Sequence, residues 1–338
     1  MSKLRSRKVL VPTVIIIAAL VILNLLPIPG VVLPFISIAA EPVFDLFGFT
    51  ITNTLLASWL TMLILIVGTW LITRKMETVP GRWQGFLEIA TEGLYGLVEG
   101  AAGPKWARRF FPIVMTIFLF VIVSNWLGLT PLFGNWGPLH HAEHGGEAVV
   151  WLGDSQTIGL WVKAEEAEAA GHGSHEAEEE LYELVPVFRG AATDLNVTFA
   201  LAIVSVLLTQ YFGIKALGIG YLGKFIAVGK VVDAFTKPGL GCGGRIATFG
   251  MGLIDIFVGV VEIISEFGKI LSFSFRLFGN IFAGEVLLAV IAFLFAYIIS
   301  LPFYGLEIFV GFVQALVFMM LTVAFFVVAI SSHGEEGH

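Results

Sequence analysis

Residues 250–299 form an apolar run fifty residues long, interrupted by only a few charges. As one helix it would measure roughly 75 Å at about 1.5 Å per residue, more than twice a hydrocarbon core of about 30 Å. It therefore has to tilt steeply, lie partly along an interface, or break in two. Five further runs, at 9–26, 55–72, 111–129, 197–214 and 306–330, come close to the roughly 20 apolar residues that one crossing takes. No alternating strand pattern accompanies them, so helices are the spanning form open to this chain. Composition agrees. Of 338 residues 57% are apolar, mean hydropathy is +0.91 and 13% are charged, whereas soluble domains average roughly 25% charged. An ordinary soluble enzyme and a disordered chain are both excluded. The net charge of −7 and the scattered Lys and Arg exclude a nucleic-acid partner. A single cysteine, Cys242, rules out an internal disulfide framework and a multi-cysteine metal site.

Basic residues orient the crossings, because cytoplasmic loops collect Lys and Arg. If 250–299 crosses once, fifteen of the nineteen Lys and Arg fall on one side. The opposite side receives only Lys163 and Arg189, and Lys269 and Arg276 lie inside the long run. Six helices with both termini in the cytoplasm satisfy the rule. The first follows Lys3, Arg5, Arg7 and Lys8. Its apolar run exceeds the about 7–15 residues of a signal peptide, so it is read as a retained anchor.

The chain then divides into an extra N-terminal membrane helix in 1–30, membrane helices two and three in 31–133, an outward loop over 134–190, the charge-bearing helices of 191–331 and a short tail at 332–338. Within 31–133, Trp83, Phe86, Leu87, Ala90, Leu94 and Leu97 recur at helical spacing opposite Arg82, Glu88, Glu92 and Glu99. That pattern predicts an interfacial amphipathic helix over 82–100. The loop holds five of the seven histidines. His140, His141 and His144, with Glu143 nearby, have ligand-like spacing. The surrounding blocks of like charge read as a solvated acidic loop instead, and no metal is assigned there. Cys242 sits in a glycine-rich stretch, 239–244, expected as a cytoplasmic turn. No strand precedes those glycines and no Gly-Lys-Ser/Thr follows, so they make no phosphate loop, and no cofactor is assigned.

Charges at membrane depth cost about 2.5–3.5 kcal/mol each on insertion scales, which makes each a functional candidate. Glu262, Lys269 and Arg276 are spaced by seven and share a helical face, with Asn280 one turn further on. Glu266 and Lys269, three apart, are placed to pair. Arg276 has no such neighbour. Glu285 is nine residues on, about half a turn out of phase, so it points away. Arg276 also lies about 40 Å along the helix from Gly250, beyond easy snorkelling.

The row Phe275-Arg276-Leu277-Phe278-Gly279-Asn280-Ile281-Phe282-Ala283-Gly284-Glu285 resembles the signature of subunit a of F-type ATP synthases. Shorter stretches agree in order: Thr52-Asn53-Thr54, Phe118-Leu119-Phe120 with Ser124-Asn125, Asp194-Leu195-Asn196-Val197-Thr198, and Gln314-Ala315. The resemblance covers roughly residues 45–330 apart from the outward loop.

That resemblance implies an all-α polytopic membrane fold of about six helices. The last two are long and strongly tilted, and curve around a ring of c subunits. It implies a stator subunit of the bacterial inner membrane, held with b-type peripheral stalk subunits, not an enzyme on its own. Two aqueous half-channels would carry protons to and from the ring's carboxylates, coupling proton-motive force to rotation and ATP synthesis. Arg276 matches the family's essential arginine. Glu262 matches a carboxylate of the cytoplasmic half-channel, and Asn280, Glu285 and Gln314 match polar residues of the pathway. Glu307 stands where some members carry histidine. The extra N-terminal helix and the long acidic loop depart from the pattern without touching its core motif.

Chemistry supports the arginine independently. Arginine does not realistically deprotonate, so it can favour the ionised form of a passing carboxylate without carrying the proton itself. Glu285 and Glu307 are expected to form the outer relay, two carboxylates in one polar cleft sharing a proton. If they share a level, Gln314, seven residues beyond Glu307, comes near Arg276 and Asn280. The alternative is a self-contained secondary transporter or ion channel that uses Arg276 as a substrate anchor. That class would carry matching charge patterns in two pseudo-symmetric halves, and only the C-terminal half carries this one.

Overall fold

The structure is a computed structural model and describes residues 38–46, 48–74, 76, 81–130, 133–134, 137, 139–141, 148–151, 159–162, 182–184, 186–225, 235, 242–294 and 299–331. The expected N-terminal anchor helix and the 332–338 tail lie outside the described residues. Five helices among the described residues are long and apolar enough to cross a membrane. A hairpin of β1 (Pro42–Leu46) and β2 (Phe49–Thr52) leads into α1 (Asn53–Thr73). The Thr52 hydroxyl accepts the Leu55 N–H at 3.4 Å, capping the first turn of α1.

α2 (Arg82–Gly128) is two helices joined at Gly103, where φ is +73°. Proline follows at 104. A proline disfavours helical geometry at the residue before it, and glycine adopts this positive φ without the strain a Cβ would bring. The amphipathic helix expected over 82–100 is the first of these two. Phe86 and Leu97 of its apolar stripe are exposed, and Val98 beside them is buried.

In the loop, β3 (Leu139–His141) pairs with β6 (Tyr182–Leu184), and β4 (Ala148–Trp151) with β5 (Gly159–Val162). His140 and His141 belong to β3. Glu143, His144, His172 and His175 lie outside the described residues. A 3-10 turn at Ala191–Thr193 opens α3 (Leu195–Leu217), and a second, Gly218–Lys224, follows it.

The long apolar run is one unbroken helix, α4 (Cys242–Leu294), of 53 residues. It begins eight residues before the run. Cys242 is its first residue, so the expected turn at 239–244 is partly helix. α5 (Ser300–Ile330) closes the fold. Its Pro302 lies in the first turn, where no backbone donor is required.

The described residues form two compact units. One draws on Met1–Met62, Val123–Asp194 and Gly279–Val313, the other on Leu63–Ile122, Leu195–Phe278 and Gln314–His338. In the second unit the rings of Phe110, Phe212 and Phe326 meet at 4.8–5.0 Å. Phe273 of α4 packs on Phe318 and Phe325 of α5 at 4.8 and 5.0 Å. Buried hydroxyls join helices as well: Thr198 to Ser274 and Ser205 to Thr322, each at 3.0 Å. Lipid offers no hydrophobic drive between helices, so close packing and such bonds, about 0.6 kcal/mol each, hold them together.

Candidate functional site

The first unit collects the motifs that the sequence presents as separate pieces. The Thr54 hydroxyl of α1 donates to the Asp194 carboxylate at 2.7 Å, and the Asn53 amide donates to the Pro186 carbonyl at 3.3 Å. Thr54 and Asp194 are both buried. In α2, the Asn125 amide donates to the Gly311 carbonyl at 3.3 Å and the Trp126 indole N–H to the Ile308 carbonyl at 3.1 Å. These bonds hold the turn of α5 that follows Glu307 against α2, because Ile308 and Gly311 lie three apart on one helical surface.

Glu307 itself is 7% exposed. Its carboxylate lies where a side chain on Gly284 of α4 would be, so the glycine is what admits it. Among the described residues it has no hydrogen-bond or ion-pair partner. Glu285, the next residue along α4, is held differently. Arg189 donates from Nε to Glu285 Oε1 at 3.1 Å and from Nη2 to Oε2 at 3.0 Å, and from Nη1 to the Ala39 carbonyl at 3.3 Å. The two carboxylates expected as one relay thus belong to one level of α4, Glu307 against Gly284 and Glu285 beside it in sequence, and among the described residues only Glu285 has a cation. Asn280 is exposed on the same helix.

In the second unit Arg276 is exposed on α4. Its guanidinium carbon stands 5.9 Å over the Phe273 ring, and no carboxylate pairs with it among the described residues. Ile264, Phe267, Leu271 and Phe275 are further exposed apolar side chains of α4. Gln314 is buried one turn before Phe318, which packs on Phe273, and so comes level with Leu277, the neighbour of Arg276.

Nearer the start of α4 is a chain of alternating charges. Lys224 Nζ lies 2.6 Å from Glu262 and 3.9 Å from Glu266, and Lys269 donates to Glu266 at 2.7 Å. The Lys224 ammonium also stands over the rings of Tyr221 and Phe225, at 5.8 and 5.7 Å. The Tyr221 hydroxyl donates to Gln210 Oε1 at 2.8 Å. Burial, with the Glu266 and Glu262 carboxylates adding to it, pushes this phenol from 10.0 up to about 12.

Sequence spacing reveals neither Arg189 nor Lys224. Arg189 is 96 residues from Glu285, and Lys224 belongs to a turn outside α4. Arg189 had one available signal: it is one of only two basic residues on the side that the charge rule assigns outward.

The ATP synthase A chain family model matches residues 55–327. The sequence is 28% identical over 284 residues to ATP synthase subunit a of Gloeobacter violaceus, spanning 84% of this chain and 86% of that protein. It is 28% identical over 295 residues to ATP synthase subunit a of Desulforamulus reducens, spanning 85% and 82%. The chain is a polytopic membrane protein of the ATP synthase A chain family.

Proposed function

We propose that this chain is the ion-translocating stator subunit of an ATP synthase membrane sector. The observation that carries the reading is Arg276, a cation exposed on the long apolar helix α4 with no carboxylate partner among the described residues. A carboxylate brought past that face by a rotating ring of c subunits would meet a fixed positive charge and release its proton. Because arginine keeps its own proton, the same residue bars a direct leak between two half-channels.

Glu262, with its neighbours Lys224 and Glu266, serves the cytoplasmic half-channel, and Glu285 and Glu307 line the outer one. Along the rise of a helix, Glu262 comes about 21 Å before Arg276 and Glu285 about 13.5 Å after it. The separation suits two paths that meet a passing carboxylate near the arginine. Asn280 and Gln314 supply neutral polar groups beside it. The partners are the c ring, b-type peripheral stalk subunits and the rest of the complex, in a bacterial inner membrane with both termini cytoplasmic. The helix over 82–102, with Phe86 and Leu97 outward, lies in the membrane interface.

The test is Arg276→Ala in the assembled complex. ATP-driven proton pumping and proton-driven synthesis should both vanish while the chain still co-purifies with c and b subunits. Arg276→Lys should fail too, since a desolvated lysine can lose its proton. Normal coupled synthesis by an assembled Arg276→Ala complex would refute the reading.

A further inference from the structure

We propose that Arg189 is a positioning residue of the outer path: it fixes Glu285 as a counter-charge, and the transported proton travels by way of Glu307. The inference rests on the reading above, in which Glu285 and Glu307 line one half-channel.

Arg189 belongs to the segment just before the 3-10 turn at Ala191–Thr193 and is 5% exposed. Its guanidinium forks onto Glu285, so each carboxylate oxygen accepts one N–H, at 3.1 and 3.0 Å. The third contact, to the Ala39 carbonyl at 3.3 Å, and the Phe282 ring 6.0 Å from the guanidinium carbon hold the fork in place. The pair is lopsided, with side-chain exposures of 6% for Arg189 and 37% for Glu285. The carboxylate is the end that opens outward from the pair, and the arginine stands behind it.

Such a pair suits a fixed charge and not a carrier. A proton placed on Glu285 would leave a buried guanidinium without its counter-charge, and breaking one half of a buried pair is strongly unfavourable. Glu307 carries no such penalty. It is enclosed against Gly284, one residue from Glu285, and among the described residues no cation or donor holds it. A Glu307 oxygen takes up the proton on the entry side, and the same carboxyl releases it to the next acceptor along the path. No bond of Arg189 or Glu285 changes in that cycle.

The test uses the whole complex in sealed vesicles, with ATP-driven proton uptake followed by dye quenching. Glu285→Gln strands the guanidinium and should slow uptake by about tenfold or more; neutralising both partners, Arg189→Gln with Glu285→Gln, should restore it to within about threefold of wild type. Glu307→Gln should be slow alone and equally slow in that neutral-pair background. A double variant no faster than Glu285→Gln alone would overturn the proposal, because Glu285 would then be carrying the proton. So would near-normal uptake by Glu307→Gln.

Arg189→Lys guards against a folding defect. It keeps the cation, so its complex should assemble and run faster than Arg189→Gln. Loss in Arg189→Lys equal to that in Arg189→Gln would also count against the proposal. Arg276→Ala separates the two levels. If it abolishes coupling while the neutral pair fails to recover, only the assignment of Arg189 falls. If it leaves coupling intact, the functional reading itself falls.

Discussion

The carboxylate of Glu307 occupies the space that a side chain on Gly284 would fill. One helix thus provides the gap and the next provides the acid, and the two are a single structural feature. A methyl group at 284 would meet the flexible end of the glutamate and not backbone, so the helices need not separate.

Gly284→Ala should therefore assemble normally while turning the Glu307 carboxyl aside. Misplacing a reacting group by about 1 Å can cost as much as 10²-fold, and a loss of about tenfold in proton uptake is expected here. Dye-quench assays on vesicles containing the purified complex check this. Wild-type uptake would mean that the position of the Glu307 carboxyl does not matter.

Lys224 is the cation shared by Glu262 and Glu266. Lys224→Gln leaves Glu266 with Lys269 and Glu262 with no paired cation among the described residues. Both acids are partly shielded from water, so the loss should be about 1–3 kcal/mol, between the exposed and buried limits for broken pairs. A lower melting temperature of the assembled complex is the readout, and Lys224→Arg should regain most of it. An unchanged melting temperature in Lys224→Gln would show that the cluster adds nothing to stability.

Tyr221 offers a pH test with a definite sign. Its folded value, about 12, lies above the ordinary 10.0. Its contribution is therefore whole below pH 10 and is lost as pH rises toward 12. Tyr221→Phe removes the hydrogen bond to Gln210, which is worth about 1 kcal/mol. The wild-type complex should out-melt the variant below pH 10, and the gap should narrow between pH 10 and 12. A gap that stayed constant across that window would contradict the buried, carboxylate-flanked setting of the phenol.

The sequence by itself determined the class of fold and singled out Arg276 as the candidate for the central residue. Backbone groups in lipid must bond within their own helix, so long apolar runs permit few structures, and an arginine in such a run is too costly to be incidental. The Gly103-Pro104 step likewise favours the break in α2 locally, the proline disfavouring a helical residue before it and the glycine accepting a positive φ. What only the tertiary structure decided is which charges meet. Arg189 reaches Glu285 across 96 residues, and Lys224 reaches Glu262 from a turn after α3. No helical period encodes either contact. The same holds for the acids at 285 and 307. The sequence presents two equivalent carboxylates without fixing their relative level, whereas the fold gives one of them a buried guanidinium and the other a gap above a glycine. Ionic pairing acts through space over a few ångströms, and chain separation carries no information about it until the helices are packed.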